Sequence, residues 1–205
     1  MKIVFLGPDG AGKSSVINGL ALRLAQSGRQ VKMRHLKPRI VMPELRDNPG
    51  SIVTDPHGKP PRSAFLSLIK IVVWLGEEWY GRLFREPKQT LLICDRYYHD
   101  LLVDPVRYRY GAPLWAARLI GALMPRPALW ILLDAPPQVL QSRKQEVTIE
   151  ETARQCLAYR AFIRTRAKQA IVDASRPLDE VISQAEHAVR SLVLHEAPAE
   201  VAHHE

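Results

Sequence analysis

Nine residues near the start of the chain, GPDGAGKSS (7–15), have the types and spacing to hold a polyphosphate. The pattern Gly-x-x-x-x-Gly-Lys-Ser is complete from Gly7 to Ser14. Gly7, Gly10 and Gly12, with Ala11 between them, let the backbone turn its N–H groups toward an anion at close range. A helix beginning near Lys13 and carrying Ser14 and Ser15 in its first turn would add its positive end to the same point. Lys13 would then reach the β- and γ-phosphates, and Ser14 would offer its hydroxyl to Mg²⁺. The competing reading is a chance glycine-rich turn. The apolar run KIVFL before it, and Val16, Leu20 and Leu24 at helical spacing after it, weigh against that.

A second stretch, LLICDRYYHD (91–100), ends an apolar strand-like run on Asp95. That puts a carboxylate at the C-terminal edge of a sheet, where it can hold Mg²⁺ beside Ser14. Arg96 follows as a clamp for a phosphate on the acceptor side. Next comes an aromatic and basic run, with Tyr97, Tyr98, His99, Arg107, Tyr108, Arg109 and Tyr110. Aromatic faces beside arginine suit a sugar ring bearing anionic groups; they equally suit a solvated loop. His35, His57 and His99 lack the spacing of metal ligands.

These residues need a parallel sheet to position them. Candidate strands are 2–6, 31–35, 91–95, 128–134 and 169–173, separated by helical patterns at 13–26, 63–85, 113–123, 137–168 with a break, and 178–193. Residues 36–62 hold six prolines and no period, which predicts a long functional loop. The reading is therefore one α/β domain over 1–194, with 195–205 a disordered tail. The full chain carries a net charge of +8; the tail holds three Glu and no Lys or Arg, leaving 29 basic against 18 acidic groups in the body. That surplus favours small anionic ligands, and no nucleic-acid-binding motif accompanies it. Cys94 and Cys156 show neither disulfide nor metal spacing, and no secretory signal opens the chain, so a cytoplasmic location is expected. The apolar run AFLSLIKIVVWL (64–75) is too short to span a bilayer and reads as a core or dimer-interface helix.

In order and spacing, GPDGAGKSS, CDRYY, LLDAPPQVLQSRKQE and VDASRPLDEV resemble the thymidylate kinase family of P-loop kinases. The resemblance covers most of the chain except about 35–90. It implies a P-loop three-layer sandwich with a five-stranded parallel sheet, helices on both faces, a small lid at about 141–152 and frequent homodimers. It further implies transfer of the ATP γ-phosphoryl group with Mg²⁺. Lys13, Ser14 and Asp95 take donor-side roles, Arg96 holds the acceptor phosphate, and Asp9 matches the P-loop acid that faces the acceptor. Ser175 and Arg176, in DASRP (173–177), match the loop passing the adenine ring. Family members carry a catalytic cation either within the P-loop or in the lid. Gly10 occupies the first place, which points to Arg143 or Lys144 in the lid.

The acceptor side departs from the family. Its Thr-Arg-Glu-Pro segment after the second strand is replaced by MRHLKPR, leaving Arg34 and Lys37 as substitutes; Trp74 stands where a base-reading arginine is usual. YHDLLVDPVRYRYGAP replaces the usual base- and sugar-holding residues. The acceptor candidates are thus Asp9, Arg34, Lys37, Trp74, Arg96, Tyr97 and His99. The expected activity is phosphotransfer to a small anionic acceptor, with a carbohydrate or glycan precursor favoured and dTMP the runner-up. A non-catalytic nucleotide-binding regulator is the alternative from another class. For a hydroxyl acceptor, Asp9 or Asp100 is the candidate base.

Overall fold

A computed structural model describes residues 1–35, 60–85 and 90–194. Lys37, most of the proline-rich loop and the tail from 195 lie outside the described residues. Five strands, β1 (Lys2–Leu6), β2 (Val31–His35), β3 (Leu91–Asp95), β4 (Leu129–Asp134) and β5 (Gln169–Asp173), form one all-parallel sheet in the order β2-β3-β1-β4-β5. The central strands β1 and β4 are apolar without a break from Ile3 to Leu6 and from Leu129 to Leu133, because both of their faces are covered. Ile3 and Phe5 pack in one core with Val16 and Leu20 and with Val181 and Ala185. Val4 and Leu6 point the other way, into a core with Ile71, Trp74, Ala117 and Tyr159. The edge strands β2 and β5 are half-exposed, which accounts for their polar residues.

The helices are α1 (Lys13–Gln26), α2 (Ala64–Tyr80), α3 (Asp100–Val103), α4 (Leu114–Leu123), α5 (Pro137–Arg143), α6 (Ile149–Arg164) and α7 (Leu178–Val189). Ser63 caps α2 by accepting from the Leu66 N–H. Thr148 caps α6 by accepting from the Glu151 N–H, with Glu150 and Glu151 at the positive end of that helix. The helix expected over 63–85 ends at Tyr80 and continues as a π-helical turn, Gly81–Arg85. The one expected over 137–168 breaks at 144–148, where Thr148 restarts it, and stops at Arg164. The expected lid segment therefore comprises the end of α5, a five-residue connector and the first turn of α6. The four-residue α3 escapes periodicity because one turn has none to show.

α2 is a core helix on one side only. Ile71 and Trp74 are buried, while Phe65, Val72 and Trp79 are exposed, as are Trp115 and Leu119 on the neighbouring α4. The Trp79 indole N–H donates to the Leu123 carbonyl and ties the two helices together. Among the described residues no helix is long and apolar enough to cross a membrane.

Candidate functional site

Sheet order makes the site. β1 and β3 are neighbours with Phe5 level with Asp95, so the loop leaving β1 and the carboxylate ending β3 emerge side by side. Residues 7–12 form that loop. Gly10 has φ +82°, and a Cβ there would come within 2.5 Å of the Leu140 carbonyl oxygen; Gly12, at φ +76°, faces open space at the start of α1. A side chain is therefore excluded at Gly10 by contact and strained at Gly12 by conformation. Ala11 is buried, while Ser14 and Ser15 sit exposed in the first turn of α1.

Lys13 is buried, and its ammonium donates to the carbonyls of Gly7 and Pro8, both at 2.7 Å. Burial, joined by the charge of Arg96, pushes its pKa down to about 8; Asp9, Asp100 and Asp95 only partly offset this. Ser14 Oγ lies 3.5 Å from Asp95 Oδ2, and His35 Nδ1 lies 3.1 Å from the same oxygen. Asp95 Oδ1 is buried without a hydrogen-bond partner among the described residues. An unsatisfied buried carboxylate oxygen is costly, and a hard cation beside it removes the cost. Ser14 and Asp95 thus fit Mg²⁺, which commonly takes one or two protein oxygens and fills its shell with phosphate and water. No group of three or more His, Cys, Asp or Glu placed to hold a metal occurs among the described residues.

Beside the glycine loop and Asp95 lies a network of buried charges. Arg96 stands at φ +70°, a sparsely populated conformation for an arginine and one found at functional sites. Its Nη2 donates to Asp9 Oδ1 and its Nη1 to Asp100 Oδ2, each at 2.5 Å. Asp100 is fully buried and also accepts from the Tyr108 hydroxyl at 2.7 Å and from the Tyr159 hydroxyl. Burial opposes its ionisation, but Arg96 and the two phenols outweigh burial and hold its carboxyl below the usual range. The same burial, with the Asp100 charge, pushes both phenols well up. Arg107 Nη1 donates to Asp9 Oδ2. Burial likewise opposes ionisation of Asp9, and Arg96, Lys13 and Arg107 overcome it, so its carboxyl stays well below the usual range. On the α5–α6 connector, Glu146 lies 3.6 Å from Arg107 Nη1 and 2.6 Å from Lys144 Nζ.

The structure therefore brings together Asp9, Lys13, Ser14, Asp95 and Arg96, and separates the other candidates. Arg34 pairs with buried Glu78 of α2 at 2.5 Å, and Lys2 holds the other carboxylate oxygen at 2.7 Å. Trp74 is buried edge-on against Tyr98 and Tyr108, supporting the network from behind. The hydroxyls of Tyr97 and Tyr98 donate to the carbonyls of Pro125 and Ala117. His99 is buried with Nε2 3.0 Å from the Gly121 carbonyl and its ring against Trp130 and Phe162. Arg143 donates to the Ala174 carbonyl at 2.7 Å, joining α5 to the loop after β5. On that loop, Ser175 and Arg176 both bond to Asp173. Asp100, with three donors on two oxygens, is a structural anion and not a free base.

Tyr159, Glu146 and Asp104 belong to the site region, and Tyr159 and Asp104 carry no sequence signal for it. Tyr159 falls on the buried stripe of α6 and reads as core. Asp104 caps a turn through the Arg107 N–H at 3.1 Å. The only hint for Glu146 is its place just after Arg143 and Lys144. No known family model matches the chain, and no curated protein matches it.

Proposed function

We propose that the chain is an ATP- and Mg²⁺-dependent phosphotransferase, a thymidylate-kinase-like P-loop enzyme acting on a small anionic acceptor in the cytoplasm. The observation that carries this reading is the meeting of Lys13, at the glycine loop, with Ser14 and an Asp95 whose buried Oδ1 lacks a donor among the described residues. On nucleotide entry Lys13 exchanges the Gly7 and Pro8 carbonyls for phosphate oxygens, an exchange of one set of hydrogen bonds for a charged one. Mg²⁺, when bound, neutralises charge on the β- and γ-phosphates. Asp9 and Arg96 line the acceptor side, and Ser175 and Arg176 lie along the adenine. The lid cation is Arg143 or Lys144, each of which must first leave its present partner, the Ala174 carbonyl or Glu146.

A carbohydrate or glycan precursor is the favoured acceptor, because the positions expected to hold the acceptor phosphate or read a base are spent inside the fold. Arg34 is paired with Glu78 and Trp74 is buried. dTMP is the second reading, favoured by the Asp95-Arg96 pair beside Asp9. The apolar face of α2 and α4 is the proposed homodimer surface. No specific nucleic-acid partner is proposed.

The test is transfer of labelled γ-phosphate from ATP–Mg²⁺ to dTMP, dUMP, dGMP and a set of acidic sugars. Transfer to an acidic sugar is expected, lost by about a thousandfold in Lys13→Ala. Efficient dTMP phosphorylation selects the second reading. ATP binding without transfer to any acceptor selects a regulatory nucleotide-binding protein.

A further inference from the structure

The two guanidiniums on Asp9 are not equivalent. Arg96 commits both terminal nitrogens, one to Asp9 and one to Asp100, and its side chain is 14% exposed. Arg107 commits Nη1 alone, to Asp9, with Glu146 at 3.6 Å from the same nitrogen. Its Nε and Nη2 donate to nothing among the described residues, and the side chain is 26% exposed. Those two nitrogens form the side edge of the guanidinium, the edge that takes two oxygens of one anion in parallel.

The backbone beneath Arg107 is fixed. Its N–H donates to Asp104 Oδ1, and Asp104 is itself buried, with Gln155 Nε2 on its other oxygen at 3.1 Å. The Asp104 N–H closes onto the Asp100 carbonyl, and Tyr110 N–H onto Pro105. A desolvated, positioned cation with an open bidentate edge binds an anion without first paying for its own ordering.

Resting on the phosphotransferase reading, we propose that Arg107 is the anion-recognising residue of the acceptor site. Its Nε–Nη2 edge takes an oxyanion of the acceptor, a phosphate monoester or a sugar carboxylate. Arg96 is then a positioning residue, which joins Asp9 to the buried Asp100 and sets the oxygen that Arg107 leans on. Arg107 thereby fills, from a different loop, the need left by the missing arginine after β2.

The experiment follows the Arg107 Nε–H resonance in the full ¹⁵N-labelled chain, assigned by its loss in Arg107→Lys. The chain is saturated with a non-hydrolysable ATP analogue and Mg²⁺, then titrated with inorganic phosphate and separately with glucuronate. A saturable shift of that resonance with at least one of them is expected, and which one moves it identifies the anion class. By calorimetry Arg107→Ala should bind that anion about tenfold more weakly or worse, with nucleotide affinity within about twofold of wild type. Should the alanine variant not fold, Arg107→Lys, which keeps the charge and loses the fork, must show the weakening. An unmoved resonance, or variants that bind the anion as wild type does, overturns the assignment. Nucleotide binding is the separate arm. A wild-type chain that fails to bind the analogue while the resonance still shifts defeats the kinase reading and leaves the anion site standing.

Discussion

Around Lys13 the site is made largely of backbone; around Asp100 it is made of side chains. The first region is one uninterrupted segment, 7–15, whose carbonyls hold Lys13, completed by a single carboxylate from β3. The second region draws Arg96, Asp100, Arg107, Tyr108, Glu146 and Tyr159 from separate stretches of the chain and links them, by charge and hydrogen bonds, with Asp9 of the loop. A backbone cradle tolerates changes in what it holds, because its donors come with the turn. A desolvated side-chain network is satisfied only when every member is present. The two halves should therefore fail differently.

Removing Asp100 puts the largest load on that difference. Asp100→Ala leaves buried Arg96 with one carboxylate instead of two and strips the acceptor from Tyr108 and Tyr159. Breaking a buried pair in this way costs about 3–4 kcal/mol, which for a chain of this length lowers the melting temperature by roughly 10 °C. Urea denaturation and calorimetry measure it. Nucleotide affinity in the folded fraction should stay within about threefold of wild type if the halves are separable. Equal collapse of both would show that the cradle depends on the network.

The same contrast explains what was legible in the sequence. The five strands and the glycine loop are encoded by runs of adjacent residues, so KIVFL, LLICD and the 7–15 pattern were readable one window at a time. Strand order was not, because nothing within a window tells β3 to insert between β1 and β2. Arg107 stood in view as one of several basic residues in a tyrosine-rich loop, but only the fold sets it against Asp9, 98 positions earlier. Tyr159 belongs to the core; what periodicity conceals is that its hydroxyl ends on a buried carboxylate. Arg34 and His99 failed in the opposite sense. Their types invite a ligand, but Glu78 holds Arg34 and the Gly121 carbonyl holds His99 Nε2 inside the fold.

His99 offers a sharper division between what touches the site and what stands behind it. Burial, with help from the Arg166 charge, pulls its pKa down to about 4, against the bond to Gly121. The unfolded chain holds that proton up to about pH 6.5, so the unfolded state binds more protons between 4 and 6.5. Stability is then lost as pH falls through this window, by about 2 kcal/mol between pH 7 and pH 5. Denaturation of wild type and His99→Phe at the two pH values isolates it: the variant should lack that part of the slope, whatever its absolute stability. An unchanged slope would mean that His99 reaches solvent, and would return it to the acceptor candidates.

The proton on Lys13 gives the smallest effect and the most specific one, because a single depressed pKa acts on folding and on binding with opposite signs. With its pKa at about 8, the ammonium of the nucleotide-free chain is mostly charged at pH 7 and mostly neutral at pH 9. The unfolded chain keeps the proton to about 10.4. Between those limits folding releases a proton, so the nucleotide-free protein gains stability as pH rises. Phosphate contact needs the charged form, so the nucleotide analogue must restore the proton, and its affinity falls by about tenfold from pH 7 to pH 9, near 1.4 kcal/mol. Calorimetry at pH 9 in two buffers of different ionisation heat should show uptake of nearly one proton per nucleotide bound, and none in Lys13→Ala. A lysine of ordinary pKa would show neither proton uptake nor loss of affinity below pH 10. That result would place the Lys13 ammonium in contact with water and make the cradle an open turn.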